Sequence, residues 1–338
     1  MKLKLMRLND RGMALLITIM VISLLVGVTV QFNQTVRQDY FASRTQLDGE
    51  YLKGIARSGL TVGMALLEAD GLENDFDSTL DSWASLDEET FVDLFPLGEL
   101  KLVIIDHSGK LQINSLAAQP GSGGAGGEDN AEEFREILKR LLLSSTFSNV
   151  DEEQADELVD ALVDWLDADE LESDFGAEDS YYQSLSPPHD TANGPVSRIE
   201  ELLLVKGFDK ELLFGSGDEP GLADFITVHG DDGKININTA PSQLLQALHP
   251  QMTEELALTL EEYRSQEENL DNLENVDWYR QVPAWPGDIE LPDAILTTKS
   301  FWFELTSEGV LHDQRKSMGA MVVRDENNNT VLVSKRSL

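Results

Sequence analysis

The densest chemistry in the chain lies at 164–179, DWLDADELESDFGAED, where carboxylates crowd one segment just past a helical stripe. Hard divalent cations want six to eight oxygen ligands, so clustered carboxylates in irregular backbone suit Ca²⁺. With Asp167 as position 1, oxygens fall at position 3 (Asp169), 7 (Ser173) and 12 (Glu178), as in an EF-hand. The glycine such a loop needs at position 6 is Glu172, so this is not a standard EF-hand. Asn193, in Thr191-Ala192-Asn193-Gly194, offers a further oxygen. The competing reading is a solvated acidic loop, the commonest meaning of an acid in a chain that carries 62 of them. Composition leaves both open.

Other reactive constellations are missing from the sequence. It has no cysteine, which excludes disulfides, thiolate nucleophiles and thiolate metal sites. There is no nucleophile elbow, no HExxH and no phosphate loop; Gly230-Asp231-Asp232-Gly233-Lys234-Ile235 lacks the spacing and the hydroxyl of the last. Histidines 107, 189, 229, 249 and 312 are scattered and read as turn or surface residues; tryptophans 83, 165, 278, 285 and 302 read as core anchors. Two segments, 199–208 and 238–245, look like entries to helix-hairpin-helix units. The chain holds 25 basic against 62 acidic residues, a net charge of −37, and no basic patch flanks either segment. Nucleic acid is therefore not expected as a partner, and these segments read as packing motifs.

The N-terminus determines where this chemistry is placed. Residues 1–12, MKLKLMRLNDRG, are basic; Met13 to Val30 then runs 18 residues without a charge, 11 of them Leu, Ile or Val. As a helix these span about 27 Å, against a hydrocarbon core of roughly 30 Å. Their insertion energy is roughly −3 to −7 kcal/mol. The basic flank holds the N-terminus in the cytoplasm and sends the rest outward. Immediately after the apolar run, QFNQTVRQDYF makes a poor signal-peptidase site. The break lies instead at Arg11-Gly12-Met13. A short basic leader ending in glycine before an uninterrupted apolar helix resembles the class III signal of type IV pilins and type II secretion pseudopilins. That resemblance implies cleavage after Gly12 by a prepilin peptidase and N-methylation of Met13. Most pilins carry glutamate as the fifth mature residue; here it is Ile17. A subunit without that carboxylate lacks the pair made with a neighbour's terminal amine, which fits the top of a filament.

Phe32, Val36, Tyr40, Leu47, Tyr51, Ile55, Leu60, Val62 and Leu66 recur near a 3.6 period, so the helix is expected to continue and to bury that stripe against a head. Glu99 to Ile113 reads as a hairpin turning at 107–110. Residues 119–127 form a glycine-rich linker. Helices are expected at 132–143, from about 150 (capped by Ser148 or Asn149) to 166, and at 198–206, 241–248 and 253–264. A strand is expected over 225–237. The C-terminus reads as strands 301–311, 318–325 and 329–336, with turns at Glu308-Gly309 and 327–329. A local echo relates Gly109-Lys110-Leu111-Gln112-Ile113-Asn114-Ser115 to Gly233-Lys234-Ile235-Asn236-Ile237-Asn238-Thr239, and reads as a shared local solution.

The acidic segment with Gly176-Ala177-Glu178-Asp179, Tyr181-Tyr182, Pro187-Pro188 and Ala192-Asn193, together with Ile113-Asn114 and 235–240, resembles the K subunit of type II secretion, the general secretion pathway protein K family. The resemblance covers most of the chain and is weakest over 69–98 and 118–148. It implies an α+β fold: a pilin-like long N-terminal helix plus an antiparallel sheet, with a large helical insertion domain. The divisions expected are leader 1–12, membrane half of the stem 13–30, periplasmic half 31–68, first part of the head 69–118, helical insertion with the acidic loop 119–228, and second helical segment with the C-terminal sheet 229–338. It implies structural Ca²⁺ in the acidic insertion, with Asp167, Asp169, Glu178 and Asp179 as ligands. It implies a minor pseudopilin, not an enzyme, that caps the pseudopilus tip with the I and J minor pseudopilins, meets the major pseudopilin, and sits in the inner membrane with its body in the periplasm. A minor pilin of a type IV pilus and a membrane-anchored periplasmic enzyme, such as a calcium-dependent hydrolase, are the alternatives.

Overall fold

The computed structural model describes residues 10–86, 90–91, 94–117 and 128–338. Most of the expected leader and the glycine-rich linker lie outside the described residues. Helix α1, Asp10–Glu73, is a single 64-residue rod. Its first half is exposed all round: Leu16, Met20, Leu24, Val28 and Phe32 stand clear of the body. It is long and apolar enough to cross a membrane.

The second half of α1 lies on a four-stranded antiparallel sheet ordered β1-β6-β7-β8, formed by Glu99–Asp106, Trp302–Leu311, Gln314–Arg324 and Thr330–Ser337. The buried face of the rod is Leu52, Ile55, Ala56, Leu60 and Leu67, packed on Leu100, Leu102, Phe303, Leu305 and Val322. This corrects the expected stripe. Phe32, Val36, Tyr40, Leu47 and Tyr51 are exposed, and only Ile55 and Leu60 of the stripe are fully buried. From 13 to 30 the rod is apolar on every side, and from 31 to 47 its apolar residues, spaced among Gln, Asn, Arg and Asp, meet no sheet; the buried face is set only where the sheet begins.

Two further expectations are corrected. The turn at 107–110 forms, with Lys110 N donating to the His107 carbonyl at 3.2 Å, but residues 99–113 are not a hairpin: β1 pairs antiparallel with β6, some 200 residues away in sequence. Glu308-Gly309 is not a turn but lies inside β6, and the chain reverses at His312-Asp313, where His312 takes φ 54°. Gly309 is required there because a Cβ would stand 2.5 Å from the Leu52 carbonyl oxygen, so any side chain would push the rod off the sheet.

The helical body has its own core. Helices α2 (Glu128–Leu142), α3 (Glu152–Leu166), α4 (Asp179–Tyr182), α5 (Lys210–Phe214), α6 (Ser242–Ala247) and α7 (Glu254–Arg264) surround Phe134, Leu162, Tyr182, Leu244 and Trp278. The cap of α3 is Asp151, not Ser148 or Asn149. It accepts from Gln154 N and is answered by the Gln154 side chain, a capping box. Residues 199–204 form a 3₁₀ helix. The long strand expected at 225–237 is two short ones, β3 (Ile226–Thr227) and β4 (Ile235–Asn236).

The echoed motifs play matching roles. Strand β2 (Leu111–Gln112) pairs in parallel with β3, and β4 pairs in parallel with β5 (Leu296–Thr297). Asn114 donates to the Val196 and Val228 carbonyls; its counterpart Asn238 donates to those of Asp77 and Leu273. Each asparagine thus ties its motif to two carbonyls distant in sequence.

Candidate metal centre

The acidic loop is folded back on α3 by the helix's own carboxylates. Asp160 accepts from Phe175 N at 3.1 Å. Asp164, fully buried, accepts from Ser173 Oγ at 2.6 Å and from Ser173 N. Lys206 approaches from the other side and donates to the carbonyls of Phe175 and Gly176 at 3.0 and 3.1 Å. Underneath, Trp165 and Tyr182 meet edge to face at 5.1 Å, and the Tyr182 hydroxyl accepts from Lys206 N. The loop backbone is thereby pinned at three places.

This geometry brings carboxylate oxygens of Asp167, Asp169 and Glu178 within 4.8 Å of one another. Glu178 is 4% exposed, and neither of its side-chain oxygens has a hydrogen-bond partner. Burial, reinforced by the charges of Asp164, Asp167, Glu170 and Asp169, pushes its carboxyl up to about 7. Burial raises Asp167 as well. An orphaned buried carboxylate facing two more is costly without a proton or a cation. Asn193, at φ 43°, also holds a buried side-chain oxygen without a partner, while its amide donates to Glu170. The donor set is all oxygen, which fits a hard cation.

Two sequence expectations are placed differently. Asp179 lies outside the three-carboxylate cluster. Its Oδ1 accepts from Thr191 N at 2.8 Å and Thr191 Oγ1 at 2.7 Å, and these bonds hold its carboxyl below the usual range. Ser173, position 7 of the counted loop, gives its hydroxyl to Asp164. Both residues shape the loop.

A second carboxylate group was not foreseen. Asp70, Asp77 and Asp81 are buried where the rod, the sheet and the helical body meet. Arg324 bonds Asp70 and Asp77 and donates to the carbonyls of Leu67 and Ser300. Asp77 further accepts from Ser300 N, and Asn236 and Asn238 donate to its carbonyl. Next to it Asp106 accepts from Thr239 and Ser300 hydroxyls. A guanidinium already serves as the cation here, so this is a junction. His107, expected at a turn or the surface, opens the turn at 107–110 but is buried, between Thr227 (2.9 Å) and Glu304 (3.4 Å). Trp83, Trp165 and Trp278 are buried as expected; Trp285 and Trp302 are half-buried.

A long helical rod docked on a four-stranded antiparallel sheet, with a helical body inserted in sequence between its first two paired strands, is a pilin-like fold. Within that class the chain is matched to one component. Residues 109–214 match the family described as type II secretion system (T2SS), protein K. The chain is similar to type II secretion system protein K of Aeromonas hydrophila, with 28% identity over 96% of both chains, and to that of Klebsiella pneumoniae, with 27% identity over 72% and 71%. In fold it is similar to a chain in the crystal structure of the GspK–GspI–GspJ complex from the enterotoxigenic Escherichia coli type 2 secretion system. There the TM-score is 0.62 at 19% identity, covering 88% of this chain and 99% of that one. The resemblance to the type II secretion K subunit, whose family is a structural pseudopilin component and not an enzyme, is thus shown.

Proposed function

We propose that the chain is anchored in the inner membrane by the first half of α1, with its body in the periplasm, and that it caps a type II pseudopilus in company with the I and J minor pseudopilins. The observation that carries this is the two-faced rod. Residues 13–30 expose apolar side chains on all sides, whereas Leu52, Ile55, Leu60 and Leu67 are committed to the sheet. Only lipid or neighbouring rods satisfy the first half. Ile17, in the expected fifth mature position, offers no carboxylate to a subunit above it. A prepilin peptidase cleaves after Gly12 and methylates Met13, and the rod then packs among other stems, including those of the major pseudopilin.

Calcium in the acidic loop belongs to the same reading. Asp167, Asp169 and Glu178 would hold it, with Asn193 available as a further oxygen. The ion neutralises the loop's charge and ties its two ends together. Support comes from the two orphaned oxygens of Glu178.

The test is assembly. The detergent-solubilised chain mixed with its I and J counterparts forms a ternary complex at micromolar concentration; separate elution of the three proteins overturns the reading. Mass spectrometry of protein isolated from cells finds a methylated Met13 as the first residue; an intact leader refutes the processing step.

A further inference from the structure

One cleft in the helical body has no role in anchoring or in the metal centre. It is a cleft of about 640 Å³ between the α2–α3 connection, the first half of α3, and the segment 207–220. Leu158 and Leu212 form an apolar floor, and Glu157, Asp209, Glu211 and Glu219 stand around it. No Lys or Arg lines it. Its volume falls in the range of about 300–1,000 Å³ typical of sites that enclose a ligand.

The four acids are not equivalent. Glu157 is paired with Lys206 at 3.0 Å, and Asp209 caps α5 by accepting from Leu212 N at 2.8 Å. Glu211 and Glu219 are exposed and have no ion partner among the described residues. Around the cleft the field has one sign: residues 128–298 hold 41 of the acidic and 9 of the basic residues, a net of −32. Such a field concentrates cations and rejects anionic partners. An apolar floor adds what a bare acidic surface lacks, a place to bury a side chain.

We propose that this cleft is a docking site for a cationic segment of a protein partner. An apolar side chain of the segment rests on Leu158 and Leu212, and flanking Lys or Arg side chains face Glu211 and Glu219. The shape and charge select a short peptide stretch over an inorganic ion, which needs no apolar floor, and over a nucleic acid, which the field repels. The proposal goes beyond tip capping and stands whether or not the rod assembles with other stems.

The test uses the full-length chain in neutral detergent, with calcium held constant. The probe is a fluorescently labelled GSRLKLRGS peptide read by anisotropy, beside GSELELEGS and spermidine as competitors. The cationic peptide binds, and Glu211→Lys with Glu219→Lys weakens it by about tenfold or more. Glu267→Lys with Glu268→Lys changes the net charge equally on an exposed surface outside the cleft, and leaves binding within about twofold. Equal losses from the two double variants mean attraction to the whole acidic body and overturn the site. Competition by spermidine as effective as by unlabelled cationic peptide means a polyamine site and overturns the peptide partner. No binding at millimolar peptide, or equal binding of GSELELEGS, also overturns it. All four substituted positions are exposed, and circular dichroism of each variant confirms its fold.

Discussion

Gly176 lies so close to Asp164 that a Cβ placed on it would fall 1.9 Å from Asp164 Oδ2. The contact sets how tightly the acidic loop closes on α3, because Asp164 also holds Ser173. Gly176→Ala must therefore displace either the loop or a buried carboxylate, at about 1–3 kcal/mol. Calcium affinity measured by isothermal titration is expected to fall by at least about tenfold. Unchanged affinity with unchanged stability would show that the loop closes without this contact.

Glu178 is expected to behave as a residue that is harmful without a cation and useful with one. Without calcium, Glu178→Gln removes an unpaired buried charge and stabilises the chain by about 1 kcal/mol. With calcium, the same variant loses most of the rise in melting temperature that wild type gains. Paired melts in chelator and in calcium test both halves. A wild-type melt indifferent to chelator would remove the metal from the reading.

The junction around Arg324 predicts a pH dependence of known sign. Burial raises the Asp77 and Asp106 carboxyls, against the pull of Arg324 on the former, and pushes Asp81 up to about 6. Asp77 faces Arg324, Asp70 and Asp106, and Asp81 faces Asp70. A carboxyl raised in the folded state holds its proton more tightly than in the unfolded chain. Its stabilisation is full below about pH 4 and is lost as pH climbs through the folded value. The calcium-free melting temperature of the wild type, taken relative to that of Asp81→Asn, should therefore rise from about pH 8 to about pH 5.5. Buried His107 and His229, held below the usual imidazole range by burial, lose stability as pH falls over the same interval, and the difference between the two chains cancels them. Measuring both in the Glu178→Gln background removes the Glu178 titration. A difference that stays flat or shrinks over this interval contradicts the assignment.

Gly309→Val tests the seat of the rod. Its Cβ would meet the Leu52 carbonyl at 2.5 Å and the Ile55 Cβ at 3.1 Å. A cost of about 1–3 kcal/mol is expected, with faster proteolysis in the distal half of α1 while the helical core stays protected. Protection of both regions at wild-type level would mean the rod and sheet adjust freely.

Much of the architecture was legible from local pattern. The rod, β6, β7 and β8 announce themselves by period and by β-branched content, and Asp167, Asp169 and Glu178 by loop spacing. What was hidden depends on distant partners. Nothing near residues 99–106 reveals that their partner is 302–311. Gly309 looks like a turn residue until Leu52 is placed against it. Asp179 and Ser173 looked like ligands because a carboxylate or hydroxyl in an acidic loop has no visible assignment; only the fold shows them turned to Thr191 and Asp164. The buried acids at 70, 77, 81 and 106 were lost among 62 acidic residues. Arg324, more than 240 residues from Asp70 and Asp77, identifies the junction by bonding both.

The helical body gathers a net of −32 between residues 128 and 298, while the rod and sheet carry little. At physiological salt that field reaches about 8 Å from the surface before it decays. Two such heads brought side by side would push each other away, though their greasy shafts attract. In the assembly proposed above, a first copy would make the adjacent berth electrostatically unwelcome to a twin and leave it open to less acidic neighbours.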